Sequence, residues 1–170
     1  MGSLHNKGVF SFIMGITLGD KTMRVILQRV KWSSCTIDGV KVSSIEDGYM
    51  ALVGFDNSDT KEVVEKMANK ISKLRVFEDE NGKMNLSIAD IKGSILSISQ
   101  FTLYANSRKG NRPSFIDAAK PDVAIPLYDY FNEYMNTLVP TKTGEFGADM
   151  KIELLNDGPV TIILDSKELF

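Results

Sequence analysis

Apolar runs bounded by turn residues predict a chain that is rich in β-strands. Asp38-Gly39 is a hairpin turn signal, and Asp47-Gly48 marks a second turn before a strongly apolar run. The predicted strands cover residues 24–30, 34–37, 40–45, 49–55, 95–98, 151–155 and 160–164. The apolar run at 49–55 is suited to the centre of a sheet.

Two other segments show the spacing of amphipathic helices. The first begins at Asp59, which forms a capping-box-like pair with Glu62, and its predicted inner face carries Val63, Met67, Ile71 and Leu74. The second covers residues 122–138, with a predicted inner face of Ile125, Tyr128, Phe131, Met135 and Leu138. Pro126 is expected in its first turn, because an interior proline costs about 3 kcal/mol. The pattern therefore predicts one mixed α/β domain over residues 23–170.

Residues 1–22 do not fit this pattern. An apolar stretch at 9–16 follows Lys7, but it is too short to span a bilayer and lacks a small-residue cleavage site. We expect a leader outside the domain, which is a tag, an over-long start or a disordered segment. No other segment is predicted to span a membrane. Cys35 is the only cysteine, so an intrachain disulfide is excluded and a cytoplasmic location is favoured.

Charge narrows the class of partner. The 20 basic and 22 acidic residues give a net charge of −2, which argues against non-specific coating of nucleic acid. A nucleic-acid substrate would have to be held by a local patch. Arg108-Lys109-Gly110-Asn111-Arg112 is a compact basic loop that suits such a role.

Histidine chemistry is excluded from the domain, because the only histidine, His5, lies in the leader. A Ser-His-Asp triad, a Cys-His dyad and a histidine-bearing zinc site are thereby ruled out. Cys35 has no basic neighbour in sequence and is expected to be inert. We expect no metal and no cofactor, since no glycine-rich phosphate loop is present either. An enzyme with this sequence must work without the usual acid–base side chain.

Two polar segments remain as candidates for chemistry. Ser99-Gln100-Phe101-Thr102 ends a very apolar strand, although such residues also satisfy backbone groups at strand ends. Asn156-Asp157-Gly158-Pro159 separates the last two predicted strands and is also explained as a simple β-turn.

Five motifs in a fixed order carry a resemblance to a known family. They are Gln28-Arg29-Val30, Gly82-Lys83-Met84-Asn85-Leu86, Ser99-Gln100-Phe101-Thr102-Leu103, Arg112-Pro113-Ser114-Phe115 and Asn156-Asp157-Gly158-Pro159-Val160-Thr161. Over residues 23–166 the chain closely resembles the D-aminoacyl-tRNA deacylases, first described as D-tyrosyl-tRNA deacylases. Residues 127–131 and 144–150 resemble that family too.

The resemblance implies a single layered β/β/α domain with mixed, largely antiparallel sheets and two main helices. It also implies a homodimer with active sites at the interface, which hydrolyses the ester of D-aminoacyl-tRNA and of glycyl-tRNA mischarged on tRNA-Ala. Gly158 and Pro159 correspond to a cis peptide that enters the partner subunit's pocket. Its carbonyl oxygens would accept the amino group of a D-amino acid, while the side chain of an L-amino acid would clash there.

The other motif residues receive roles from the same resemblance. Ser99, Gln100, Phe101 and Thr102 correspond to the catalytic wall, whose backbone amides stabilise the oxyanion. Because Thr102 has no adjacent base, the 2′-hydroxyl of the terminal adenosine is expected to assist the attacking water. The supporting residues are Arg29, which braces the turn, Asn156 and Thr161 within the motif, and Phe146 and Met150 in the adenosine pocket. Two alternatives stay open: a non-catalytic binder of D-amino acids or tRNA acceptor ends, and an esterase with Thr102 as nucleophile.

Overall fold

The computed structural model describes residues 22–170. The predictions for the leader and for His5 lie outside the described residues, except at Thr22. The strands are β1 (Arg24–Ile37), β2 (Val40–Ile45), β3 (Gly48–Gly54), β4 (Phe77–Glu78), β5 (Met84–Leu86), β6 (Ser94–Ser99), β7 (Thr141–Thr143) and β8 (Lys151–Asp165). The helices are α1 (Lys61–Lys73), α2 (Pro121–Leu138) and α3 (Ser166–Leu169), and a 3₁₀ helix covers Phe101–Tyr104. Within residues 22–170, no helix combines the length and apolarity that a membrane crossing requires.

The long strand β1 is the centre of the main sheet. It pairs antiparallel with β2 and β3 along one edge and with β8 along the other. Beyond β3 the sheet continues in parallel through β6 and β7, while β4 and β5 form a separate hairpin. The predicted strands 24–30 and 34–37 are one strand, and so are 151–155 and 160–164. Where each predicted pair was divided, the pairing of β1 with β8 shifts register, and the strand continues beyond an irregularity.

Two apolar clusters divide the domain into layers. Tyr49, Ala51 and Val53 of β3 face the cluster shared with α1 and α2. Met50, which points to the opposite face, belongs to a second cluster formed with β1, β2 and β6. Strand β2 also contacts β6 and β7, although it is not their neighbour in the sheet, so the sheet folds over this second cluster. The predicted β/β/α layering is confirmed.

The start of α1 differs from the prediction. Its N-cap is Thr60, whose side chain accepts a hydrogen bond from the Val63 amide at 3.4 Å. Asp59 is instead buried, and its carboxylate accepts a hydrogen bond from the Asp56 amide at 2.6 Å. The prediction of Asp59 as the cap was wrong by one residue, because the aspartate closes the preceding turn.

Helix α2 also corrects two predictions. It begins at Pro121, so Pro126 lies in the second turn rather than the first. Because Pro126 has no N–H, the carbonyl of Asp122 loses its usual partner, but Asp122 is exposed to water. Ile125 and Leu138 are exposed rather than inward. The buried stripe follows i+3 and i+4 spacing through Ala124, Leu127, Tyr128, Phe131 and Met135, which leaves the other two beside it.

Candidate active site

The segment Ser99-Gln100-Phe101-Thr102 lies tightly against the end of β3. The Gln100 amide donates to the Val53 carbonyl at 2.7 Å, and the chain then turns into the 3₁₀ helix. Gly54 permits this approach: a Cβ atom there would lie 2.9 Å from the Gln100 carbonyl oxygen and 2.9 Å from Cε2 of Tyr104. The absence of a side chain at Gly54 therefore fixes where the segment can lie.

The first turn of the 3₁₀ helix leaves main-chain donors free. Among residues 22–170, no acceptor bonds the amides of Phe101 and Thr102, as is usual at a helix start. The side-chain amide of Gln100 donates to Oγ1 of Thr102, which is exposed. The neighbour of the threonine hydroxyl is thus a hydrogen-bond donor and not a base.

A cavity of about 250 Å³ opens beside this segment. Its walls contain five of the residues predicted for the site, Ser99, Gln100, Phe101, Phe146 and Met150. The other walls come from Ile98, Gly147, Ala148, Asp149 and Ile152. The cavity therefore joins the end of β6 to the segment that precedes β8.

Ionisable groups are scarce around the cavity. Asp149 is the one ionisable residue among its walls, and its carboxylate pairs with Nζ of Lys151 at 3.0 Å. Cys35 is buried, and burial raises the pKa of its thiol, in keeping with the prediction that it is inert. Residues 22–170 contain no group of three His, Cys, Asp or Glu side chains placed to hold a metal ion.

The second candidate segment forms a bulge between β8 and β1. Pairing runs from Gln28 with Thr161 to Val30 with Asn156, so four residues of β8 loop out opposite Arg29. The peptide bond between Gly158 and Pro159 is cis, and both residues are exposed. Gly158 has φ of +124°, a backbone conformation that residues with a side chain rarely adopt.

Arg29 holds this bulge from beneath. It is 4% exposed, and it donates from Nε to the Asp157 carbonyl at 3.0 Å and from Nη1 to the Val76 carbonyl at 2.7 Å. Its guanidinium also lies 3.4 Å from the Asp157 carboxylate and 3.7 Å from that of Glu78. The arginine thus ties the bulge of β8 to the chain that enters β4.

The bulge residues do not line the cavity. Gly158, Pro159, Asn156, Thr161 and Arg29 form a separate group within one chain, and Asn156 is exposed. One contact escaped prediction: the Thr161 hydroxyl donates to Oε1 of Gln28 at 2.6 Å. Gln28 and Thr161 both stand inside the motifs named above, which was the available signal.

Comparisons with known proteins agree on one family of ester hydrolases. The family model described as D-Tyr-tRNA(Tyr) deacylase matches residues 26–165. A D-aminoacyl-tRNA deacylase from Phocaeicola vulgatus is 57% identical over 147 residues, covering 85% of this chain and 98% of the relative. One from Bacteroides fragilis is 55% identical, with the same coverage.

Solved structures agree on the fold. A structure described as "c-Myc DNA Unwinding Element Binding Protein" has a TM-score of 0.79 at 41% identity, covering 83% of this chain and 97% of that one. A structure of "a probable eukaryotic D-amino acid tRNA deacylase" has a TM-score of 0.74, covering 85% and 99%. It is 19% identical, so this likeness concerns the fold alone.

The chain belongs to the D-Tyr-tRNA(Tyr) deacylase family. The predicted resemblance is confirmed, and with it, at the level of the family, the expectation of an enzyme that hydrolyses an ester of tRNA.

Proposed function

We propose that the protein hydrolyses the ester of D-aminoacyl-tRNA in the cytoplasm and spares L-aminoacyl-tRNA. The observation that carries this proposal is the cavity beside Ser99: the adjoining amides of Phe101 and Thr102 have no acceptor among residues 22–170, and the one ionisable wall residue, Asp149, is paired with Lys151. The same architecture admits glycine, which has no side chain to exclude. Glycyl-tRNA mischarged on tRNA-Ala is therefore a second expected substrate.

Stabilisation of the developing oxyanion is assigned to two main-chain amides of the segment. The Gln100 amide is committed to Val53, so the amides of Phe101 and Thr102 are the donors for the developing oxyanion. One such donor is worth about 2.7–4 kcal/mol in well-studied hydrolases. A water oxygen bonds to the ester carbonyl carbon, the bond to the ribose 3′ oxygen breaks, and that oxygen takes up a proton. The neighbouring 2′-hydroxyl of the substrate relays the proton, since the one ionisable side chain of the cavity wall, that of Asp149, is paired with Lys151.

Selection of the D-hand is assigned to Gly158 and Pro159. This turn is exposed and does not line the cavity of its own chain, which supports its insertion into the cavity of a second copy. In such a homodimer the two carbonyl oxygens face the substrate's α-carbon and accept hydrogen bonds from its amino group. The side chain of an L-residue is excluded from the same space by contact with the backbone.

Phe146 and Met150 are assigned to the terminal adenosine. They stand in the cavity wall with Phe101, and their aromatic ring and thioether suit the planar face of an adenine base. Arg29, Asn156 and Thr161 are assigned to support the turn, Arg29 through its bond to the Asp157 carbonyl.

The first test compares D-Tyr-tRNA with L-Tyr-tRNA as substrates of the purified protein. We expect release of D-tyrosine while the L-ester stays largely intact. Equal rates on both hands would contradict the stereochemical gate. Binding with no release of either amino acid would favour a non-catalytic binder instead.

The second test separates substrate assistance from a Thr102 nucleophile. A D-aminoacyl-tRNA that ends in 2′-deoxyadenosine should be inert, while Thr102→Ala should keep much of the activity and give no trapped acyl-enzyme. The reverse pattern would establish the threonine esterase.

The third test addresses the cross-subunit gate with two inactive variants. Gly158→Ala disturbs the turn, and Gly54→Ala disturbs the Ser99 segment. Mixed dimers of the two contain one intact site if the turn acts on the partner, so activity should return after subunit exchange. No recovery in dimers verified to be mixed would place the turn and the cavity of one chain in the same site.

A further inference from the structure

A basic loop lies next to the candidate active site. Residues 106–114 form a closed loop whose base is fastened by two hydrogen bonds, from the Asn106 amide to the Ser114 carbonyl at 2.8 Å and in return at 2.9 Å. Directly after it, the ring of Phe115 packs edge-on against Phe101, with centroids 5.1 Å apart. Since Phe101 stands in the cavity wall, the loop is joined directly to the site.

The loop concentrates positive charge in a chain whose acidic residues outnumber its basic ones. Arg108, Lys109 and Arg112 are all exposed, and within residues 22–170 none of them forms a salt bridge. The whole chain has a net charge of −2. Beside these cations, Phe115 is 37% exposed and Ile116 is 81% exposed. Cations and an exposed aromatic ring thus occupy one short surface.

This combination suits single-stranded nucleic acid. Cationic side chains follow the phosphates, and aromatic rings stack on bases without regard to sequence. An acidic protein partner would use the cations, but a single strand, in which phosphates and planar bases alternate, matches the cations and the ring together. Phe115, which directly follows the loop, contacts Phe101 in the cavity wall, so a strand that crosses the loop is led toward the place where the ester must lie.

We propose that the loop of residues 106–116 binds the single-stranded 3′ end of tRNA on its way to the cavity. Arg108, Lys109 and Arg112 contact its phosphates, and Phe115 stacks on one of the bases before the terminal adenosine. The inference rests on the proposed deacylase function and adds the surface that positions the strand. These four are positioning residues, because none of them lines the cavity in which the ester is cleaved.

The charge component is tested with the triple variant Arg108→Gln, Lys109→Gln, Arg112→Gln. Its matched control replaces three lysines of β2 and α1, Lys41, Lys70 and Lys73, with glutamine. Both variants and the unaltered protein are assayed on D-Tyr-tRNA and on the D-tyrosyl ester of adenosine, which lacks the preceding nucleotides. The loop variant should lose at least tenfold in kcat/KM on tRNA but stay within twofold on the adenosine ester, and the control should match the unaltered protein on both.

Salt provides an independent readout. Three lost contacts with a single strand lower the salt slope by about 2, since each phosphate contributes about 0.7. Between 50 and 200 mM salt, KM for tRNA should therefore rise about 18-fold more for the unaltered protein than for the loop variant. Parallel salt curves would overturn the phosphate contacts.

The aromatic component is tested with Phe115→Tyr and Phe115→Leu. Stacking predicts that tyrosine keeps kcat/KM on tRNA, while leucine loses at least about fivefold. Equal losses on tRNA and on the adenosine ester would mean that the ring only supports Phe101, and would overturn the stacking role.

The outcomes also separate this inference from the function on which it rests. If the unaltered protein cleaves neither ester, the deacylase proposal fails. If it cleaves both and the loop variant behaves identically, only the loop proposal fails. Light scattering at assay concentration is a further check, because a change in mass for the loop variant would make the loop an interface between copies of this chain and overturn its assignment to RNA.

Discussion

Replacement of Arg29 offers a sharp test of how the exposed turn is held. The guanidinium is buried and makes two hydrogen bonds to main-chain carbonyls, those of Asp157 and Val76. Arg29→Met retains an unbranched side chain but removes both donors. Each carbonyl left without its donor costs about 1–3 kcal/mol, so we expect a loss of about 4 kcal/mol in the free energy of unfolding.

Arg29→Lys should cause only part of this loss of stability. An ammonium group is a single point donor and cannot span two carbonyls as the planar guanidinium does. The expected loss is about 2 kcal/mol, half that of the methionine variant. The carboxylates of Asp157 and Glu78 add little to either value, because their side chains are 32% and 56% exposed and water replaces the lost partner.

The assay combines urea unfolding with hydrolysis of D-Tyr-tRNA and L-Tyr-tRNA. Because Arg29 bonds the carbonyl that precedes Gly158, its loss should loosen the turn and lower the ratio of D to L activity. Met67→Ala is the matched control, since truncation of this buried core residue of α1 costs about 2–5 kcal/mol and removes no hydrogen bond to the turn. If the selectivity ratio falls equally in the control, or stays unchanged in both arginine variants, Arg29 does not govern the turn.

Three further substitutions follow from contacts described above. Gly54→Ala forces the Gln100 carbonyl away from its place 2.9 Å from the new Cβ, and should lower kcat about 100-fold with the protein still folded, as measured by single-turnover hydrolysis and circular dichroism; an unchanged kcat would refute the link. Gly144→Ala would push the Met150 sulfur, which lies against the new Cβ, into the cavity. It should therefore raise KM about tenfold with kcat retained, and steady-state kinetics that show a fall in kcat alone would contradict this. Burial, reinforced by nearby carboxylates, raises the pKa of Asp59 to about 6, so the folded state holds this proton more tightly than the unfolded state. Stability from this group should decline by up to about 3 kcal/mol as pH rises from about 4 to above 6, and urea titrations of Asp59→Asn should lack that component.

Local signals in the sequence predicted most of the regular structure. Apolar runs and Asp-Gly turns located β1, β2 and β3, because these strands need no distant partner to be recognised. Strand β7 could not be found in this way. Its residues, Thr141, Lys142 and Thr143, carry no apolar pattern and become a strand through parallel pairing with β6.

The candidate site was predictable only in part. The sequence alone excluded catalysis that depends on histidine, since no histidine occurs in residues 23–170. They did not indicate that Phe146 and Met150 meet the end of β6, because that contact joins segments about 50 residues apart through the fold. The resemblance supplied this grouping. The commitment of the Gln100 amide to Val53 was visible only in the structure, and it leaves the amides of Phe101 and Thr102 as the two proposed oxyanion donors.

The pairing of β1 with β8 has a kinetic consequence. Their side chains and backbones meet across separations of 115 residues or more, as in the pairing of Thr36 with Lys151 and the bond from Ser33 to the Glu153 carbonyl. Contacts of such long range are slow to form, because closing the intervening chain costs entropy before any contact is gained. Until β8 docks, one edge of β1 has no strand partner, and an unpaired edge invites pairing with another molecule. Strand β8, which bears Gly158 and Pro159, is therefore expected to dock on β1 late in folding. Conditions that delay this docking should favour aggregation.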